Sequence, residues 1–190
     1  MVDIIGAFFT VENSREYLTI KFSPNERSIK SRWRNNGLSA GFLADYWATF
    51  FPICDIYEQH KQDQLRNTIN YIANELLENT MKFHCDLLDI PISITLHLFP
   101  EQLVFYVTNC AHAGTSRVLR EYARVLLAGD IEELYLQQLE RNALDESHST
   151  SQMGFLTMLH DYHANLAWQF EPVDDQSEYC IITTMVQLAI

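Results

Sequence analysis

The chain has 190 residues, a length that suits one domain or one domain with a short extension. Its apolar fraction of 47% is typical of a globular protein with a sizeable core, and five Pro and six Gly argue against a disordered chain. The net charge of −12 and the pI of about 4.9 oppose non-specific binding to nucleic acid and insertion into an anionic membrane, so neither partner is expected.

Cysteine usage and hydropathy bear on the cell compartment. The cysteines are scattered and form no C-x-x-C pair, which is typical of reduced thiols, so a cytoplasmic location is expected. The first residues lack a basic stretch followed by a long apolar core, so no signal peptide is expected. The most apolar run, residues 41–54, contains Asp45 and is too short to span a bilayer.

The N-terminal third predicts strands and a basic stretch. Residues 1–9 are apolar and predict a short strand or a packing segment, and residues 16–22, EYLTIKF, alternate as a strand does. The basic stretch contains Lys30, Arg32 and Arg34. It is either a docking surface for an acidic partner or a solvated face that balances an acidic protein.

An aromatic helix is predicted next. Asn36-Gly37 is typical of a turn, and Ser39 can cap a helix over residues 40–51 that Pro52 ends. The large apolar residues of this helix are Phe42, Leu43, Tyr46, Trp47, Phe50 and Phe51. So many apolar side chains on one short helix need a partner surface, either in the core of the monomer or at an interface with a second copy or another protein.

The chain is organised around residues 65–83, LRNTINYIANELLENTMKF, where apolar spacing without Gly or Pro predicts a helix. Glu75 and Asn79 are four residues apart and Lys82 follows three later, so they project from one face. A carboxylate, a carboxamide and an ammonium on one stripe suit a hydrated Mg²⁺ and a polyphosphate. The alternative is a solvated face on which Glu78 and Lys82 form a surface pair.

The rest of the chain alternates between strand and helix patterns. In order, these are strands at 92–99 and 103–108, two helices within 115–142, a polar loop at 145–152, a helix at 153–165, and strands at 166–171 and 179–188. The first two strands form an antiparallel hairpin around a tight turn. Together the elements predict an α/β fold of the α+β two-layer kind, with a mostly antiparallel sheet and helices on one face.

The stretch ELLENTMKF resembles the N-box helix of the GHKL superfamily of ATP-binding proteins, which includes histidine-kinase ATPase domains and anti-sigma-factor serine kinases. The resemblance implies a Bergerat ATP-binding fold over about residues 65–188, with ATP and Mg²⁺ as cofactors. It implies that Asn79 binds Mg²⁺ and that Glu75 is the catalytic general base, as in the serine-kinase branch. It also implies that Lys82 approaches phosphate and that Phe83 lies against the nucleotide.

The sequence departs from the family at both glycine boxes. Where the family has D-x-G-x-G, this chain has Asn109-Cys110-Ala111-His112-Ala113, followed by Gly114. The amide oxygen of Asn109 can still accept a hydrogen bond from adenine, without the charge that strengthens such a bond. The second box, which meets phosphate at a helix N-terminus, keeps only Gly154. Asn109, Gly114 and Gly154 are therefore predicted to bind nucleotide, and the binding is expected to be weak.

Two further groups of residues have a weaker pattern. His160 and His163 are three apart on a predicted helix, a spacing that can hold a metal, but no third ligand is obvious, and a surface or core pair is the alternative. Arg117, Arg120 and Arg124 lie where the family has its ATP lid. They either contact phosphates or are ordinary helix-surface arginines.

The resemblance is closest to stand-alone bacterial serine-kinase-like proteins of partner-switching pathways, including the biofilm-regulating branch. It implies a protein serine/threonine kinase-like regulator whose partner is a small STAS-domain or other signalling protein, and the aromatic helix predicts a homodimer. The altered glycine boxes favour the alternative, a non-catalytic interaction module that keeps the fold. Residues 1–60 are predicted as an extension packed on a histidine-kinase-like ATPase domain at 61–190, in one compact unit.

Overall fold

The computed structural model describes residues 1–11, 16–22, 29–51, 56–85, 88–144, 153–174 and 178–190, without the side chains of residues 29–35 and 56. The basic side chains of Lys30, Arg32 and Arg34 and the predicted loop at 145–152 lie outside this description. The elements are β1 (Asp3–Ile5), β2 (Glu16–Phe22), α1 (Ile29–Ala48), α2 (Ile56–Phe83), β3 (Ile92–Phe99), β4 (Gln102–His112), α3 (Ala113–Ala128), α4 (Ile131–Leu144), α5 (Gly154–His160), β5 (Asn165–Pro172) and β6 (Tyr179–Ala189).

The strands form one sheet in the order β1-β5-β6-β4-β3-β2, and every neighbouring pair is antiparallel. The predicted hairpin is confirmed, with Phe99 paired to Gln102 across its turn. β1 and β2 form the two edges of the sheet, so the N-terminal third contributes to the same sheet as the rest of the chain. A division at residue 60 stays a prediction.

The core lies between one face of the sheet and the helices. Alternate residues of β4, such as Phe105, and of β5, such as Trp168 and Phe170, are fully buried with Trp47 of α1 and Leu76 of α2. Burying a side chain of this size stabilises the fold by about 1.5–3 kcal/mol. The fold is therefore α+β, with an antiparallel sheet and helices on one face, as predicted.

The aromatic helix is longer than predicted. α1 runs unbroken from Ile29 to Ala48, so the turn at Asn36-Gly37 and the cap at Ser39 are wrong. Its packing explains the difference, because Ala40, Leu43, Ala44 and Trp47 are all buried and hold the helix in the core against its local turn signal. The exposed Gly37 has no neighbouring atom within 4 Å of its Cβ position.

The last helix is shorter than predicted. α5 ends at His160 and not at residue 165, which begins β5. The chain reverses at His163, whose φ of 50° lies in the left-handed region, and the Ala164 N–H donates to the Met158 carbonyl at 2.9 Å. A left-handed residue just beyond a helix is a common stop signal, which periodicity alone does not reveal. Among the described helices, none has the length and apolar character that a membrane crossing needs.

Candidate functional site

Helix α2 positions the predicted site. Ile69, Ile72 and Leu76 bury its apolar face in the core. Glu75 and Asn79 lie beside that face and are half-buried, one helical turn apart. The helix that the sequence predicted is therefore confirmed, and its polar stripe emerges at the edge of the core rather than in open solvent.

Gly154, the first residue of α5, lies directly against this stripe. A Cβ at Gly154 would overlap the Oε2 atom of Glu75 and lie 3.7 Å from the Nδ2 atom of Asn79. Gly154 is buried, so no other residue type fits without displacing the carboxylate. The structure thus brings together three predicted site residues from segments that are far apart in sequence.

The Glu75 carboxyl group has a raised pKa. Its main cause is burial, which disfavours the charged form, and the nearby Glu78 charge adds to it. Among the described residues, Glu75 has no ion-pair partner within 4.0 Å. A carboxylate with increased proton affinity and no cationic partner suits a general base.

Glu78 is not paired with Lys82. The Asn74 Nδ2 atom donates to the Glu78 Oε1 atom at 3.0 Å, one turn earlier on α2. The surface pair that was the alternative interpretation of this helix is therefore not formed. Lys82 and Phe83 are both exposed at the end of α2, with the Lys82 Nζ atom 5.4 Å from the Phe83 ring centroid.

An aromatic pair that sequence reasoning missed closes one side of the site. Tyr71 lies one turn before Glu75, and its ring centroid is 5.2 Å from that of Tyr162, which follows α5. Burial raises the pKa of Tyr71, opposed by a hydrogen bond with the Thr157 side chain. The four-residue spacing of Tyr71 and Glu75 was the available sequence signal, because it places both on one face.

The first glycine box has a different structure from the family's loop. β4 continues to His112, so Asn109 lies in a strand, paired with Ile182 of β6. Asn109 is 6% exposed, on the helix-facing side of the sheet, while Gly114 lies in the first turn of α3 and is exposed. Neither has a hydrogen bond to Glu75, Asn79 or Gly154 among the described residues.

The arginines of α3 have structural partners. Arg120 lies 3.3 Å and Arg124 3.2 Å from the Asp3 carboxylate of β1. The Arg120 guanidinium also covers the Phe170 ring at 4.6 Å from its centroid. These contacts join α3 to the edge of the sheet, which favours the ordinary interpretation of these two arginines over a phosphate-binding one. Arg117 is exposed.

The two histidines of the α5 region do not converge on a metal position. The His160 Nδ1 atom lies 2.6 Å from the Asp161 Oδ1 atom, and its ring stacks on Tyr135 with 4.2 Å between centroids. His163 is exposed beyond the end of the helix. Across the described part of the chain, no group of three or more His, Cys, Asp or Glu side chains is placed to hold a metal ion.

Two surface cavities lie elsewhere in the molecule. One, of about 350 Å³, is lined by apolar side chains of the residues just after α1, of the β3–β4 turn and of the C-terminal Ile190. The other, of about 570 Å³, shares Phe99 and Pro100 with it and has a lining of both polar and apolar side chains. Neither cavity is lined by Glu75, Asn79 or Gly154, so both lie away from the predicted nucleotide-binding residues of α2 and α5.

The sequence matches no protein-family model, and no curated protein matches it. The fold does have solved relatives. A chain in the crystal structure of the SiaB–SiaC complex from Pseudomonas aeruginosa superposes with a TM-score of 0.57, covering 91% of this chain and 89% of that chain at 11% sequence identity. At this identity the likeness shows a shared fold. The GHKL resemblance itself still rests on the residues of α2.

Proposed function

We propose that the protein is an ATP- and Mg²⁺-binding, serine/threonine kinase-like regulator of a bacterial partner-switching pathway. One observation carries the proposal. Gly154 lies about 75 residues after Asn79 in sequence, yet it meets the Glu75–Asn79 stripe at the junction of α2 and α5. These are the N-box residues and the surviving glycine of the second box, and their meeting is what a nucleotide site of this kind requires.

The chemistry of the side chains fits the cofactors. The amide oxygen of Asn79 is a hard ligand of the kind that Mg²⁺ prefers, and the Glu75 carboxylate lies next to it. In the proposed site, Gly154 would contact phosphate, as the resemblance implies, and the exposed Lys82 would add a flexible positive charge. Asn109 would accept a hydrogen bond from adenine, and Phe83 and Gly114 would contact the nucleotide. Magnesium would supply neutralisation of phosphate charge.

Glu75 is the residue assigned to proton transfer. Its pKa is raised by burial and by the Glu78 charge, so it takes a proton more readily than a solvated glutamate. A serine or threonine hydroxyl gives up its proton as it attacks the terminal phosphoryl group. Because phosphoryl transfer depends mainly on positioning and charge neutralisation, one base and one metal ligand are a sufficient set of side chains.

The expected partner is a small signalling protein of the STAS type. The structural neighbour comes from a two-protein complex, SiaB–SiaC, which supports a role in binding another protein. A second copy of the chain is the other expected partner, through the α1 surface, formed by Leu38 and Phe42 of α1 and by Phe50 just after it. All three side chains are exposed, and the opposite face of α1 is in the core.

A calorimetric titration of Mg-ATP tests the proposal. Saturable binding is expected for the natural chain, and Asn79→Ala should weaken it by about tenfold or more, because a metal ligand is lost. Asn70→Ala is the matched control, since Asn70 is exposed on the same helix, two and a half turns earlier. Equal affinities for the natural chain and Asn79→Ala would overturn the proposed site.

A non-catalytic interaction module is the second candidate. The burial of Asn109 within the paired β4 and β6 strands favours it, because a base needs access to the adenine-binding side chain. If the titration gives no heat of binding at millimolar Mg-ATP, and the circular dichroism spectrum shows that the protein is folded, the result would select this candidate over the kinase.

A further inference from the structure

The larger of the two surface cavities has the features of a ligand site. Its volume is about 570 Å³, within the range of small-molecule sites. It lies at the end of the sheet opposite His112, where β4 begins and β6 ends. Its side chains come from the β3–β4 turn, from the connection between α5 and β5, and from β6. Structural elements from three parts of the chain thus converge on one concave surface.

Polar side chains in the cavity have hydrogen-bonding groups without protein partners. The Gln187 Nε2 atom donates to the Gln102 Oε1 atom, which leaves the Gln187 Oε1 atom as an acceptor. The side chains of Glu101, His163 and Asn165 make no hydrogen bond or ion pair with another described residue. Acceptors on several elements therefore face one space, as they do in sites that orient a small polar ligand.

The charge of the lining selects the sign of the ligand. Glu101 carries a carboxylate, and the lining contains no Lys or Arg. An anionic ligand would meet uncompensated negative charge there, and the net charge of −12 would oppose its approach. A cation would gain a charge-assisted hydrogen bond from Glu101 and further bonds from neutral amide oxygens.

An apolar wall adjoins the polar groups. Phe99 and Pro100 line this cavity and also the 350 Å³ cavity, where Phe50, Leu98 and Ile190 lie. Phe99 contributes an aromatic ring to this lining, and aromatic rings can attract a cation and pack against an alkyl chain. A ligand with a charged head and a short hydrocarbon stem matches this pair of surfaces.

His163 is held in the cavity wall by an unusual backbone conformation. Among the described residues other than glycine, it alone has a positive φ. Glycine adopts that conformation without strain, whereas histidine adopts it at a cost in free energy. This conformation places the exposed His163 side chain in the lining of the cavity.

We propose that this cavity binds a small organic cation with a guanidinium or ammonium head. The head pairs with the Glu101 carboxylate and donates to amide oxygens of Gln187 and Asn165, while the stem lies over Phe99. The site is separate from the Glu75–Asn79–Gly154 junction, so it stands whether or not the chain binds ATP.

Butylguanidinium and butylurea provide a matched pair of probes, because they have the same shape and differ in charge. In a calorimetric titration, butylguanidinium should bind saturably. Butylurea should bind with an affinity that is lower by about tenfold or more, because the charge-assisted hydrogen bond is lost. Glu101→Gln should weaken butylguanidinium by a similar factor. Glu140→Gln makes the same charge change at an exposed position on α4 and should leave the affinity within about twofold.

Three outcomes would overturn the proposal. Equal weakening by Glu101→Gln and Glu140→Gln would show general attraction to an acidic protein. Equal affinity for butylurea would show that charge is not recognised. Lack of saturation up to about 10 mM would show that the cavity does not retain the cation.

Discussion

At the scale of single residues, the contact between Gly154 and the Glu75 carboxylate determines how α5 meets α2. The carboxylate occupies the space that a Cβ would need, and Asn79 lies on its other side. A carboxylate half-buried at a helix junction without a cation partner is unfavourable for folding. Such an arrangement is typical of residues that serve a site rather than stability.

Gly154→Ala should move the Glu75 carboxylate and lower the free energy of unfolding by about 1 kcal/mol or less, because the new methyl group meets the Oε2 atom, the end of a flexible side chain that can rotate away. Gly37→Ala is the control. Gly37 lies inside α1 with no neighbouring atom within 4 Å of its Cβ position, so alanine should stabilise the chain by about 0.5–1 kcal/mol. Urea denaturation measures both free energies of unfolding. A loss of more than about 3 kcal/mol for Gly154→Ala would contradict this prediction, because it would mean that the carboxylate cannot move aside.

Glu75→Gln should raise the free energy of unfolding at neutral pH. The pKa of Glu75 is higher in the folded state than in the unfolded state. Between these two pKa values the folded protein binds more protons than the unfolded chain, so its stability falls as the pH rises through that range. Glutamine carries no charge, so its advantage should shrink as the pH falls to about 4. Urea denaturation at both pH values measures the difference. A variant less stable than the natural chain at neutral pH would contradict the prediction.

Much of the candidate site could be predicted from local sequence. The four-residue spacing of Glu75 and Asn79 fixes their common face once the helix is known. Gly154 follows from the resemblance as a nucleotide-binding residue, a role that stays a prediction, and its approach to Glu75 comes from the structure. The burial of Asn109 could not be predicted, because it depends on how far β4 pairs with β6, a contact between residues 73 positions apart in sequence.

At the scale of elements, the packing of α1 on α2 is secured by a side chain that caps one helix from the other. The Gln62 Nε2 atom of α2 donates to the carbonyl oxygens of Ala48 and Phe51 at 2.7 and 2.6 Å. Carbonyl groups at the end of a helix lack partners within the helix, so an outside donor satisfies them. This contact satisfies the carbonyl groups at the end of α1 and just after it, and it joins them to α2.

Gln62→Ala should lower the free energy of unfolding by about 1–2 kcal/mol, since two partly buried carbonyl groups lose their donor. Gln64→Ala is the matched control, because the Gln64 side chain is exposed on the same helix and its effect should be within about 0.5 kcal/mol. Thermal unfolding followed by circular dichroism compares the two. Equal melting temperatures would show that the bridge contributes nothing.

Elements were predicted well where a pattern was local and poorly where tertiary packing decided. β2 and β3 have the predicted bounds, because each alternates cleanly between one apolar and one polar face. The turn signal at Asn36-Gly37 is overridden by the burial of Leu43 and Trp47 farther along the same helix. Helix ends and strand ends depend on such non-local contacts, so local patterns locate them less well.

At the scale of the whole molecule, one sheet contains strands from both ends of the chain. The other helices do not cover the α1 surface, which stays exposed. Phe42 is 54% exposed. Trp47 lies on the face of α1 that packs into the core, one helical turn after Leu43, and is fully buried. The rings of Phe42, Tyr46 and Phe50 form a row along α1. An interface with a second copy would therefore use Phe42, not Trp47, which belongs to the core.

Phe42→Glu should convert a dimer to a monomer, because a charge in an apolar interface is strongly unfavourable. Leu136→Glu makes the same charge change on an exposed position of α4 and should leave the dimer intact. Light scattering coupled to gel filtration gives the mass directly. A natural chain that elutes as a monomer at every concentration would contradict the proposed homodimer.

The most direct test of the nucleotide site is a ¹H–¹⁵N NMR titration with a non-hydrolysable Mg-ATP analogue. The proposed function predicts that amide signals of residues 75–79 and 154–157 shift together with one dissociation constant, because both segments surround one ligand. Signals near Glu101 and His163 should stay unchanged. Shifts confined to other residues, or none up to about 10 mM, would contradict a nucleotide site at the junction of α2 and α5.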